Sequence, residues 1–292
     1  RAIENGRSEW DVPAYGGTLF SSDPSINSSG AALADYRLTN AEFGPTLSAL
    51  LVDVDADDPE KAVLGPVDFR SLSVREFGTI YEGLLESELT TTPYDLTETN
   101  KGEYVRAEEG DAVVVAAGGV WFHNSSGERK SSGSYYTKSF AVEHLLHHAL
   151  KPALDDHLQE VKELLDANDD SGASKKLFAF RCADISMGSG HFLVAAIDHI
   201  EAQFSNFLAE NPINHVNSEI AALRDAAQKA LGDLADREEL DSAQILRRLI
   251  ARRCIYGCDI NPVSVELARL GIWIHTFVPG LPLGFLDHNL AI

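Results

Sequence analysis

The sequence is short of cysteine and of long apolar runs. Three cysteines in 292 residues are too few for a disulfide framework and fit a reducing compartment. The apolar runs fall far below the ~18 residues that cross a bilayer. The N-terminus, Arg1 to Asn5, has neither an initiator Met nor a signal-peptide core. We therefore expect a cytoplasmic chain, without membrane association, cut from a longer polypeptide.

Positive charge is scarce as well. Aspartate and glutamate total 45 against 24 lysines and arginines, which gives a formal net charge of −21, and only 9 of the cations are lysine. The acid is spread along the chain. Dispersed acid is typical of a halophile, because a Debye length of ~3 Å at 1 M salt weakens self-repulsion. The alternative is an ordinary acidic protein. Taken alone, the charge also argues against a general nucleic-acid binder, although high salt suppresses phosphate-driven affinity in any case.

Hydrophobic residues make up 44% of the chain, as in globular proteins. Residues 1–125 are interpreted as a mainly helical N-terminal region, with an amphipathic helix at 71–90 and a strand at 111–122. Residues 126–292 form a second unit of alternating helices and strands. Its predicted elements are helices from Ser139 to about Leu165, a strand at 177–183, a glycine turn at 188–190, a helix from Phe192, a polar helical insertion at about 201–253, a strand at 254–258 and a helix opened by Asn261 and Pro262.

This order of elements is that of the first half of a doubly wound α/β domain. The glycine turn, Gly188-Ser189-Gly190, follows one predicted strand and opens a helix. Backbone N–H groups there can approach a ligand because no Cβ intervenes. Leu193 occupies the place of the third glycine of the dinucleotide fingerprint, which argues against NAD.

Asp259 follows the next predicted strand, at the position where α/β domains hydrogen-bond a ribose. It lies 69 residues after Gly190 instead of the usual ~20, so this interpretation requires 201–253 to be an insertion. The alternative for Asp259 is a helix-capping acid beside Asn261. Upstream of the helix at Ser139, two adjacent aromatics at 135–136 either line an adenosine or methionine pocket or serve packing.

In combination, these segments resemble one family. The runs Gly-Ser-Tyr-Tyr-Thr at 133–137, Asp-x-x-Met-Gly-Ser-Gly-His-Phe at 184–192 and Tyr-Gly-Cys-Asp-Ile-Asn-Pro at 256–262 are similar to adenine-N6 DNA methyltransferases. These are the S-adenosylmethionine-dependent enzymes of type IIG restriction–modification and BREX-type phage-defence systems. The resemblance spans roughly residues 70–292.

The resemblance implies a class I, Rossmann-like methyltransferase fold that binds S-adenosyl-L-methionine. Asp259 would accept from the ribose hydroxyls, and Ile260 would lie against the adenine. Three residues would lie beside the cofactor's methionine end: Tyr135, Tyr136 and Thr137. Five more would form the glycine turn beneath the cofactor: Asp184, Met187, Gly188, Ser189 and Gly190. Two sites depart from the family: Lys138 replaces a usual proline, and Ile185-Ser186 replaces Pro-Ala or Pro-Pro.

The family's catalytic motif, Asn/Asp-Pro-Pro-Tyr/Phe, does not occur in the sequence. Asn211-Pro212 falls in the predicted insertion, and Asn261-Pro262 caps a helix. We therefore expect no catalytic residue here, and a cofactor-binding front half that is inactive alone. The resemblance implies double-stranded DNA as substrate and a restriction nuclease domain or subunit as a candidate partner. The alternatives are a methyltransferase of the same fold acting on RNA or protein, and a non-catalytic cofactor-binding or specificity subunit.

Three further clusters carry weaker signals. The histidines at 144, 147 and 148 have helical spacing, but no third metal ligand is evident, so they are interpreted as a polar helix face and no metal is expected. Cys254 and Cys258 are expected to pack from one face of a strand. The only dense basic cluster is either a solvated helix end that balances the dipole or a phosphate contact, and consists of Arg247, Arg248, Arg252 and Arg253.

Overall fold

The structure of the protein, a computed structural model, describes most of the chain. The described residues are 5–7, 9, 21–54, 64–67, 87–99, 104–124, 139–232, 240–282 and 289–292. They form a mixed α/β protein with small sheets. In its N-terminal part the elements are α1 (Ser28–Asp35), α2 (Asn40–Leu51), β1 (Val52–Val54), β2 (Leu64–Pro66), β3 (Ser87–Thr91), β4 (Leu96–Glu98), β5 (Tyr104–Arg106) and β6 (Val120–Asn124).

The two N-terminal helices begin at side-chain caps. The Asn27 side chain accepts a hydrogen bond from the Gly30 N–H at the start of α1, at 2.9 Å. Thr39 and Glu42 form a reciprocal capping box at the start of α2. Beyond residue 51, the described residues up to 124 form antiparallel strand pairs: β1 with β2, β3 with β6 and β4 with β5.

The expectation of a mainly helical region over 1–125 is therefore wrong for the described residues after position 51. The predicted strand at 111–122 is also displaced, because the ladder covers Val120–Asn124 and pairs it with Ser87–Thr91. Threonine, valine and aromatic residues in these segments favour a pleated surface once a partner strand is present. Of the helix predicted at 71–90, residues 71–86 lie outside the described residues, and 87–90 belong to β3.

The second part of the chain alternates helices with parallel strands. Its elements are α3 (Ser139–Leu145), a π-helical turn (Leu146–Leu150), α4 (Lys151–Asp166), α5 (Asp170–Leu177), β7 (Cys182–Asp184), α6 (His191–Glu210), α7 (Asn214–Leu231), α8 (Ser242–Cys254), β8 (Ile255–Cys258), α9 (Pro262–His275) and β9 (Leu290–Ala291). The predicted helices from Ser139 to about Leu165, the helical character of the described part of 201–253 and the helix after Asn261 are confirmed.

Two predictions about strands need correction. The segment 177–183 was predicted to be extended, but only Cys182–Asp184 is a strand. Asp169 caps α5 by accepting from the Gly172 N–H at 2.8 Å, so the chain as far as Leu177 is helical. Cys254 is the last residue of α8 and not part of β8, so the expected shared strand face with Cys258 is absent from this described segment.

Three strands make the parallel sheet, in the spatial order β7-β8-β9. Cys182 pairs with Ile255, Asp184 with Gly257, and Gly257 with Leu290. The chain passes from β7 to β8 through α6, α7 and α8, and from β8 to β9 through α9. A parallel sheet with helical connections is what the front half of a doubly wound domain would contain, and other α/β folds contain it too.

The main core lies between this sheet and its helices. Every side chain of that core falls between positions 142 and 290, and fully buried examples are Leu193, Ile197, Phe204, Ile250 and Ile272. Burial of each such side chain stabilises the fold by roughly 1.5–3 kcal/mol. Among the described residues, no helix is long and apolar enough to cross a bilayer.

Candidate functional site

The candidate site lies where β7 and β8 end. The two strands are parallel and adjacent, so the loops that leave their carboxyl ends meet at one edge of the sheet. The glycine turn follows β7 and leads into α6, and Asp259 directly follows β8. Ligands bind at this edge in open α/β sheets.

A hydrogen bond joins the two loops. The Asp259 carboxylate accepts from the Gly188 N–H through Oδ2 at 2.9 Å, and from the Asn261 N–H through Oδ1 at 2.9 Å. Asp259 thus binds the backbone at the start of α9, as the helix-capping alternative expects, and it also contacts the glycine turn. A carboxylate offers about four lone-pair sites, so about two remain for further donors.

Backbone hydrogen bonds fix this geometry from both sides. The Met187 N–H donates to the Cys258 carbonyl at 3.1 Å, and the Gly190 N–H donates to the Met187 carbonyl at 2.9 Å. On the other side, the Asp259 N–H donates to the Ala291 carbonyl at 3.2 Å. The site is therefore positioned by the sheet itself, and the Asp259 side chain joins the turn to the end of β8.

The two glycines of the turn are required for different reasons. Both adopt positive φ, 53° at Gly188 and 81° at Gly190, a region that L side chains rarely occupy. A Cβ at Gly190 would lie 3.0 Å from the Ala268 Cβ, so this glycine allows α9 to approach the turn. A Cβ at Gly188 would meet none of the described residues within 4 Å, so these residues leave the space above Gly188 open to a ligand.

The Met187 side chain packs beneath the turn. Its side chain is buried, and its sulfur packs against Gly257 in β8, where an added Cβ would overlap it. The side chain thus supports the turn from the core, and only the Met187 backbone lies at the loop. Asp184 has a local role as well, because its Oδ1 accepts from the Ser186 N–H at 3.0 Å. Ser189 is half-buried within the turn.

Two large aliphatic side chains are unusually exposed at this edge. Ile260, which was expected to lie against an adenine, is 86% exposed, and Ile185, which was not expected in the site, is 83% exposed. Each closely follows the end of its strand. The sequence signal for Ile185 is its position, because an isoleucine directly follows the strand and precedes the glycine turn. Together they offer apolar surface beside a polar carboxylate.

Three of the predicted cofactor residues, Tyr135, Tyr136 and Thr137, lie outside the described residues. Among the described residues, no group of three or more His, Cys, Asp or Glu side chains is arranged to hold a metal ion. The histidines at 144, 147 and 148 are all exposed, and the rings of His144 and His148 lie 4.3 Å apart between centroids.

The basic cluster on α8 divides into separate contacts. Arg247 pairs with Asp198 and Glu201, and Arg248 is buried and donates to the Pro282 carbonyl. Burial, aided by the charge of Arg252, lowers the pKa of Arg248 to about 10. The first two arginines of the cluster are therefore structural, whereas Arg252 is exposed.

Comparison with known proteins gives no match: no known family, curated protein or solved structure corresponds to this chain.

Proposed function

We propose that this chain is the cofactor-binding part of an S-adenosylmethionine-dependent DNA adenine-N6 methyltransferase with a class I, Rossmann-like domain. The observation that carries the proposal is the 2.9 Å hydrogen bond from the Gly188 N–H to the Asp259 carboxylate. This bond joins the two motifs that resemble the family. It does so at the carboxyl edge of a parallel sheet, where open α/β folds bind their ligands.

The residues present suit the adenosine half of the cofactor. The remaining lone pairs of Asp259 would accept from the two ribose hydroxyls. Ile260 and Ile185 expose apolar surface that a purine ring would cover. The open space above Gly188 would admit the cofactor close to the backbone.

S-adenosylmethionine, when bound, supplies an activated methyl group. The task of this chain is then to bind and orient the cofactor, which lowers the entropic part of the barrier. Methylation of a base within a duplex also needs groups that hold the extruded adenine. The sequence holds no Asn/Asp-Pro-Pro-Tyr/Phe motif for that role, so we expect these 292 residues to bind cofactor without transferring the methyl group.

The missing motif also supports a second candidate, a non-catalytic cofactor-binding or specificity subunit. Both candidates share the cofactor site and differ in the whole protein's reaction. The choice of DNA, over RNA or protein, rests on the resemblance of the motifs alone.

Equilibrium dialysis with labelled S-adenosylmethionine tests the proposal, in molar KCl because of the acidic charge. We expect saturable binding that S-adenosylhomocysteine displaces and that NAD and ATP do not. A parallel assay with mixed genomic DNA should show no methyl incorporation above background. Lack of binding by folded protein, or equal displacement by NAD, would contradict the cofactor site. Incorporation into DNA would show that the expectation of an inactive chain is wrong.

A further inference from the structure

A concave feature lies at the amino edge of the parallel sheet, opposite the candidate site. It is a cavity of about 340 Å³ bounded by the end of α5, the approach to β7, the last turn of α8 and the start of β8. This volume falls in the range of small-ligand pockets. Four cationic side chains line it: Lys175, Arg181, Arg252 and Arg253.

The charge of this cavity contrasts with that of the chain. Acidic residues outnumber cations 45 to 24 in the sequence, yet no acidic side chain lines the cavity among the residues that the structure describes. The four cations come from three separate segments, so folding gathers them. The cavity is therefore locally positive in a chain whose net charge is negative.

Two of the arginines are held in place. Arg181 donates to the carbonyls of Phe178 and Phe180 at 2.7 and 2.9 Å, and its guanidinium lies 5.6 Å from the centroid of the Tyr256 ring. Both carbonyls are neutral, and no carboxylate in the described part of the chain forms an ion pair with Arg181. A guanidinium over an aromatic face is attracted to the ring and loses mobility.

Arg253 is fixed in a similar way. It makes a two-pronged contact with the Glu219 carboxylate, through Nη1 at 3.0 Å and through Nη2, and it lies 4.8 Å from the centroid of the Phe178 ring. Glu219 therefore compensates part of the charge of Arg253, and this contact fixes the Arg253 side chain in the cavity wall.

Lys175 and Arg252 are exposed, and neither forms an ion pair with a residue in the described part of the chain. The C-terminal ends of α5 and α8 reach the same region, and each contributes about half a negative charge. Together with Glu219 they leave a net charge of about +2 in the cavity, so the helix ends do not neutralise the cations.

We propose that this cavity binds a phosphate group. Fixed guanidinium donors match the oxygens of a phosphate, and the exposed Lys175 and Arg252 offer further donors beside them. The phosphate would come from a free phosphate or small phosphate ester, or from the backbone of a nucleic-acid strand. The inference does not depend on the proposed function, because the cavity and the cofactor site lie at opposite ends of β8, whose four residues span ~13 Å.

The test uses the full chain and a paired variant, Lys175→Gln with Arg252→Gln. Both side chains are exposed, so their loss should leave the fold intact. The matched control, Arg37→Gln with Lys229→Gln, removes two exposed cations elsewhere and changes the net charge equally. Calorimetric titration with inorganic phosphate at constant ionic strength measures the free anion, and anisotropy of a labelled short DNA duplex measures the strand.

We expect phosphate to bind the native chain and the control alike, and to bind the cavity variant at least tenfold more weakly. Phosphate binding without duplex binding identifies a small phosphate ligand, and duplex binding that phosphate competes away identifies a nucleic-acid strand. Two results would overturn the proposal: no binding of either probe to the native chain, or equal loss in the cavity variant and the control. Thermal melts of all forms confirm folding, and S-adenosylhomocysteine binding should be unchanged in the cavity variant.

Discussion

The two edges of the parallel sheet hold opposite kinds of polar group. At the carboxyl edge, backbone N–H groups of Gly188 and Asn261 hold the Asp259 carboxylate, which still has capacity to accept. At the amino edge, carbonyls, a carboxylate and aromatic rings hold Arg181 and Arg253, which still have capacity to donate. One edge therefore suits ligands rich in hydroxyl donors, and the other suits oxyanions.

The edges also differ in how tightly they are built. The glycine turn rests on a filled core in which Met187, Leu193 and Leu290 pack against Gly257. The amino edge has a cavity with three exposed cationic side chains, those of Lys175, Arg181 and Arg252. Changes at the carboxyl edge should therefore affect folding as well as binding, whereas changes at the rim of the cavity should affect binding alone.

The largest expected effect is that of Gly257→Ala. The added Cβ would overlap the Met187 sulfur and lie 2.9 Å from the Leu193 Cδ1, both in the buried core. Overpacking of this kind costs about 3 kcal/mol at the upper end of its usual range. Urea unfolding should show that loss. The control is Gly65→Ala in the extended strand β2, where the added Cβ meets none of the described residues within 4 Å and should leave the free energy of unfolding unchanged or slightly raised. Equal stability of the two variants would disprove the tight support of the turn.

Salt should act with opposite signs on the fold and on the cavity. Screening relieves self-repulsion in a chain of net charge −21, so the melting temperature should rise from low to molar KCl. The same screening should weaken the binding of inorganic phosphate at the amino edge. Thermal melts and phosphate titrations over one KCl series measure both trends. A melting temperature that stays flat or falls with KCl would refute the halophile interpretation.

The smallest expected effect is a difference in reactivity among the three thiols. Burial raises the pKa of Cys182 to about 11 and that of Cys254 to about 12, so both stay protonated and unreactive near neutral pH. Cys258 is half-buried and precedes Asp259 at the carboxyl edge. We expect it to react first with a thiol reagent in the folded protein, and S-adenosylhomocysteine to slow that reaction. Mass spectrometry after timed labelling identifies the site, and comparable labelling of Cys254 would contradict the buried placement.

Local signals were sufficient for part of the fold. The glycine pair at 188–190 and Asn261-Pro262 predicted turns and helix starts that the structure contains, because both act through the backbone of their own segment. The segment 177–183 was misassigned because its apolar run has strand composition, while the cap at Asp169 directs its beginning into a helix. The strands β3 and β6 depend on each other although their paired residues lie 29 to 37 positions apart, a pairing that no local pattern specifies.

Prediction from local sequence patterns is limited in the same way at the two sites. The contact between Gly188 and Asp259 could be expected, since the carboxyl ends of adjacent parallel strands meet at one edge. The cavity could not, because Arg252 and Arg253 belong to an evident cluster but Lys175 and Arg181 arrive from other segments. A basic cluster in a sequence therefore does not show which of its members remain available to a ligand.

The central claim is that Asp259 and the glycine turn form the cofactor site, and calorimetry with S-adenosylhomocysteine on one charge-matched pair of variants tests it. Asp259→Ala removes the carboxylate at the turn, while Asp225→Ala removes an exposed carboxylate on α7. The account predicts that Asp259→Ala loses roughly 1.5–3 kcal/mol of binding free energy, the scale of charge-assisted hydrogen bonds, and that Asp225→Ala binds as the native chain does. Native affinity in a folded Asp259→Ala protein would remove Asp259 from the site and contradict the account.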